Sequence, residues 1–208
     1  MMAVFVRTPL GWSGPARILW LAALVITPVG CSNTIRIQDS PENPVSLVMV
    51  DHGRHPSLMI PEGEGGIRYT WGEWRWYAHN EIGVLRGLNA VFWPTQATLG
   101  RYHFEQWPER GASAYIIPEG YRELLILEVE QEKARSLKDR LDGVFEEGAE
   151  QARVYNPVYR LEFVPLEENY WVFNQSNQRM ISWLRELGLE VRGPGLYSNW
   201  RLIEDDTE

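Results

Sequence analysis

Residues 170–191 read YWVFNQSNQRMISWLRELGLEV, and the period of the pattern changes inside them. Trp171 and Phe173 alternate with Tyr170 and Val172, as in a short aromatic strand near its end. Asn174, Gln175, Ser176 and Asn177 are residues whose side chains hydrogen-bond local backbone, which predicts a helix N-terminus. Met180, Ile181, Leu184 and Leu187 then recur at helical spacing, and Gly188 supplies the stop. Ser176 is therefore expected where a strand hands over to a helix, at the positive end of the helix dipole. A nucleophile's anion would be favoured there, although helix capping is the simpler role for the same residue.

Upstream, YRLEFV (159–164) alternates as a strand, and residues 124–129 are strongly β. Between them Leu137, Leu141, Val144 and Phe145 share one face of a helix over 131–147, whose charges form a solvated side. Further strands are expected at 46–50, 57–60, 67–70, 99–104 and 113–117, with a helix over 82–92 and an edge strand within 196–203. Residues 62–66 read as a Gly-rich acidic loop. The class is α+β: an antiparallel sheet packed against helices.

Hydrophobic residues make up 44% of the 208, enough for a core in one domain, placed at 46–208. After residue 30 there are 18 basic against 28 acidic side chains, a balance that argues against a nucleic-acid partner. The lone cysteine, Cys31, excludes an internal disulfide, a multi-cysteine zinc site and a catalytic thiol in the folded domain.

Arg7 and Arg17 precede or flank a twelve-residue apolar run, Ile18–Val29, too short to span a bilayer and suited to a signal-peptide core. It ends in Thr27-Pro28-Val29-Gly30-Cys31, which resembles a bacterial lipoprotein signal with Pro28 in place of the usual leucine. The resemblance implies a signal peptide at 1–30 and lipidation of Cys31. Ser32 in the next position implies the outer membrane, with the domain facing the periplasm. An uncleaved anchor and ordinary secretion are the alternatives. Residues 31–45, polar and carrying two prolines, read as a tether.

Four histidines are available: His52, His55, His79 and His103. His52, His55 and His79 with Glu73 make a conceivable metal set, but the HxxH lies in a turn rather than on a helix, so no metal and no cofactor are expected. A histidine base paired with a hydroxyl nucleophile is the stronger chemical idea, with Trp71, Trp74, Trp76 and Tyr77 as the wall of a core or groove.

Three blocks carry a resemblance: VMVDHGRHPSLMIP (48–61), TWGEWRWY (70–77) and FNQSNQRMISWLRELGLEV (173–191). They resemble, in order, the Gly-Trp-His-Thr-Gly/Asp-Leu-Val-Leu-Pro, Gly-Trp-Gly-Asp and Asn-Thr-Cys-Asn blocks of a family of bacterial envelope proteins. That family is similar to circularly permuted NlpC-type papain-like cysteine peptidases. The resemblance implies a papain-like fold, with His55 at the catalytic histidine and Ser176 at the nucleophile. Glu73 matches the acidic residue of the tryptophan block, and His52 and Asn174 are candidate supporting residues.

The chain departs from the pattern at Ser176, where the family has cysteine, and at Arg54 and Pro56 around His55. An alcohol is a far weaker acid than a thiol and needs a stronger base. The expectation is a degenerate, non-catalytic cleft that binds a cell-wall peptide, an acyl group or a partner protein. The alternatives are a Ser-His amidase or esterase, and a structural lipoprotein of unrelated fold.

Overall fold

The structure, a computed structural model, describes residues 32–37, 40–81, 93–108 and 116–203. Among these residues ten strands and three helices follow in chain order: β1 Asn33–Arg36, β2 Pro44–Asp51, β3 Pro56–Glu62, β4 Gly65–Glu73, α1 Trp74–His79, β5 Thr95–Phe104, β6 Glu123–Glu130, α2 Gln131–Gln151, β7 Val154–Asn156, β8 Leu161–Tyr170, α3 Ser176–Glu186, β9 Glu190–Arg192 and β10 Trp200–Ile203. The fold is α+β. Seven strands form an antiparallel sheet in the order β6-β2-β3-β4-β5-β8-β7, and β10-β1-β9 form a smaller one in which β1 and β10 run parallel.

The period of two divides the large sheet into two faces. Leu47, Met49, Leu58, Ile60, Ile67, Tyr69, Trp71 and Leu99 turn to one side. There they pack with Leu137, Leu141 and Phe145 of α2 and with Met180, Ile181, Trp183 and Leu184 of α3. Val50 and Met59 turn to the other side, under Phe104, Ile116 and Ile117. Leu161 and Phe163 turn the same way, against Ala78, Tyr77 and Tyr159. Gly100 leaves room for this second layer: a Cβ there would sit 2.5 Å from the Phe163 ring and 2.8 Å from Thr70 Cγ2.

Several expectations are corrected. The stretch read as a tether contains β1, and β2 already begins at Pro44. Backbone pairing with the chain's last strands orders this mostly polar stretch, and Ile35 anchors it in the main core. The acidic loop at 62–66 is a tight β3–β4 hairpin whose ends, Glu62 and Gly65, are paired. Trp171–Asn174 is a closed turn rather than strand, with Asn174 N–H donating to Trp171 O at 2.8 Å. Ile116 and Ile117 belong to no strand, and 113–115, the helix expected at 82–92, the signal peptide and Cys31 lie outside the described residues. Among the described residues no helix is long and apolar enough to cross a membrane.

Candidate functional site

The turn between β2 and β3 carries both histidines of the first motif. Asp51 pairs with Pro56 across the hairpin, and His52 N–H donates to His55 O at 3.0 Å. His55 shares the parity of Ser57 and Met59, so its side chain goes to the face away from α2 and α3. There the two imidazoles stack with ring centroids 4.6 Å apart, and Tyr77 of α1 meets His55 edge-on at 5.2 Å.

His52 is the centre of a buried polar knot. Its Nδ1–H donates to Gly120 O at 2.6 Å, which leaves Nε2 to accept from Ser57 Oγ at 3.0 Å. Ser57 Oγ in turn accepts from Arg68 Nε at 3.1 Å, and Arg68 Nη2 lies 3.3 Å from His52 Nε2. The Arg68 side chain is fully buried and pairs with both oxygens of Glu119, while Nη1 also donates to Ile116 O at 3.2 Å. Burial first, and the Arg68 charge second, lower the His52 pKa from 6.5 to about 3. His55 moves the same way, through loss of water around the ring and then through His52 and Arg68. Both rings are neutral at pH 7. The Tyr77 phenol is pushed upward, chiefly by burial.

Ser176 belongs to the other face. It opens α3, whose apolar side packs with Leu58 and Ile60, and its hydroxyl lies 3.4 Å from Gln175 Oε1. Gln175, not Ser176, caps the helix: its side chain accepts from Asn177 N–H at 2.9 Å. Among the described residues Ser176 and His55 share no hydrogen bond: His55 packs on His52 and Tyr77, and Ser176 opens the helix that packs on the other face of the sheet.

The supporting residues have local duties. Glu73 caps α1 by accepting from Trp76 N–H at 2.6 Å. Asn174 closes the turn before α3 and donates from Nδ2 to Asn169 O at 2.6 Å. His79 is exposed, packed edge-on against Trp74 at 5.0 Å, and does not join His52 and His55. Of the tryptophans, Trp71 is core, stacked on Tyr170 at 5.5 Å with Arg179 over its ring.

Ser57 and His52 have the hydrogen bond of a nucleophile–base pair. Ser57 is 0% exposed, however, its oxygen is also held by Arg68, and an imidazole titrating near pH 3 is a poor base at neutral pH. The pair is a structural element. His52, His55 and Glu119 offer ligand atoms all within 4.8 Å of one another. A cation among them would have to displace the Arg68 guanidinium from Glu119 and break a hydrogen bond at either His52 nitrogen, so the donor set does not form an open metal site. The side chain left with binding capacity is His55: half-buried, neutral, with no hydrogen-bond partner for its nitrogens among the described residues, beside exposed Arg54.

Sequence reasoning missed Ser57, Arg68 and Glu119, while Tyr77 was expected only as part of an aromatic wall. Arg68 carried a signal, as a lone charge in GGIRYTWG, where a buried strand demands a partner. Glu119 had none, because it arrives from a turn distant in sequence. No protein-family model matches the chain, and neither a curated protein nor a solved structure matches it.

Proposed function

We propose that this is a periplasm-facing domain, lipid-anchored to the outer membrane through Cys31, that binds a cell-wall peptide without cleaving it. The observation that carries the non-catalytic reading is the separation of partners. His55 stacks on His52 and Tyr77 on one face, while Ser176 rests on Gln175 at the start of a helix on the other. The order of the three sequence blocks supports descent from a permuted NlpC-type papain-like scaffold. The Ser176 replacement and the diverted His55 support loss of its thiol-enzyme centre. A neutral imidazole that both donates and accepts, walled by Tyr77 and flanked by Arg54, suits the amides and carboxylates of such a peptide.

Two measurements test this reading. A serine-reactive phosphonate is expected to leave the wild type unlabelled; labelling that disappears in Ser176→Ala would restore the hydrolase. Titration with a muramyl tripeptide, followed by NMR, is expected to shift the His55 and Tyr77 ring signals and to lose that effect in His55→Phe. Unmoved rings at millimolar peptide would refute the ligand class.

A further inference from the structure

The domain has one end at which its first described strand begins and exposed aromatic side chains gather. Asn33, fully buried, fixes the start of the fold. Its N–H donates to Asn199 O at 2.7 Å, its Nδ2 donates to Tyr197 O at 2.8 Å, and its Oδ1 accepts from Gly195 N–H at 2.8 Å. The loop 193–199 is thus stapled to the residue two positions after Cys31. That loop presents Leu196, 41% exposed, and Tyr197, 63% exposed.

The turn before α3 is tied to the same loop, since Gln175 Nε2 donates to Gly195 O and Gln178 Nε2 donates to Pro194 O at 2.5 Å. It presents Trp171 and Phe173, whose rings meet edge-on at 5.1 Å, with Phe173 66% exposed. Thr95 pairs with Tyr170, which brings Trp93, 65% exposed, to this end as well. The opposite end of β4 is the Glu62–Gly65 hairpin tip, about 27 Å away at the rise of an antiparallel strand. It is acidic and carries no exposed large apolar side chain.

We propose that Trp93, Trp171, Phe173, Leu196 and Tyr197 form a membrane-facing surface that rests in the interfacial layer of the bilayer holding the Cys31 acyl chains. This rests on the lipid-anchor reading above and adds an orientation to it. The argument is one of reach. Two residues span at most about 7 Å, so acyl chains entering lipid at Cys31 hold the 193–199 loop at the bilayer surface. No tether intervenes, because β1 begins at Asn33. Tryptophan and tyrosine are the side chains favoured at that depth, with an apolar ring and a polar edge. The aromatic end is therefore the end the anchor pulls onto lipid, and the acidic hairpin is directed into the periplasm.

The full-length lipidated protein, reconstituted in phosphatidylethanolamine–phosphatidylglycerol vesicles, tests this with nitroxide labels on Phe173→Cys, Tyr197→Cys and Glu64→Cys. Acylated Cys31 is blocked, so each variant offers one free thiol. Labels at 173 and 197 are expected to lose access to a water-soluble nickel chelate and to gain collisions with oxygen, while the label at 64 keeps the access of a soluble site. Mass spectrometry of the same preparation reads residue 31. Acylated Cys31 with water-like labels at 173 and 197 would overturn the orientation alone; unacylated Cys31 would overturn the anchor and the orientation together.

Discussion

Acid should unfold this domain earlier than its carboxylates alone would dictate, because His52 is held neutral. Above pH 6.5 the imidazole is uncharged in both folded and unfolded chains. As the pH falls from 6.5 toward about 3, the unfolded chain takes up a proton that the folded chain refuses, so stability is lost across that window. For one group with those two pKa values, the loss between pH 7 and pH 4.5 is about 2–3 kcal/mol. His55, shifted the same way, adds to it. Such a loss is a large share of the about 5–15 kcal/mol that holds a domain together.

Urea unfolding followed by tryptophan fluorescence at the two pH values measures the loss. His55→Phe preserves the ring stack on His52 and is expected to leave a smaller difference between them. NMR of the imidazole carbons reads the His52 protonation state directly. A wild-type stability constant to within about 0.5 kcal/mol from pH 7 to 4.5, or a His52 ring that protonates above pH 5 in the folded chain, would refute the reasoning.

Two substitutions probe the layers around this knot. Arg68→Met leaves Glu119 without its buried partner and is expected to cost about 3–5 kcal/mol at pH 7. It also weakens the acid dependence, since His52 loses a neighbouring positive charge; both effects are read from the same urea curves. Gly100→Ala places a methyl 2.5 Å from the Phe163 ring and 2.8 Å from Thr70 Cγ2. An overpacking cost of about 1–3 kcal/mol is expected by thermal or urea unfolding, and a neutral result would mean that the second layer is looser than described.

What the sequence disclosed about the fold came from its periods. The helices over 131–151 and 176–186 follow from 3.6-residue spacing with one face buried, whereas the central strands β3 and β4 are buried on both faces and follow from apolar runs between turn residues. Residues 33–36 offer one apolar side chain, Ile35, among four residues, too short a pattern to read that way. Their strand is specified by backbone pairing to β9 and β10, which are about 160 residues distant along the chain. The site divides along the same line. The two histidines of the first hairpin are legible in HGRHPS, but their serine partner is not. Ser57 reaches His52 across a four-residue turn, a local geometry, whereas the motif pattern points to Ser176, at the start of a helix remote in sequence.

The decisive quantity is one of parity. In a strand, each step of one residue moves a side chain to the opposite face, so a histidine immediately before β3 addresses whichever side Ser57 and Met59 address. Leu58 and Ile60 face α3; Ser57 bonds His52 and Arg68 on the reverse. For His55 to serve Ser176, the turn would have to gain or lose one residue, and that change would break the Asp51–Pro56 pairing and the His52–His55 backbone hydrogen bond together. Burying Arg68 enforces the present register, since sliding β3 would strip its guanidinium of Ser57 and His52. The same polar knot that stabilises the hairpin thus turns His55 toward Tyr77 and away from α3, which is why its imidazole is better placed to receive a ligand than to activate a hydroxyl.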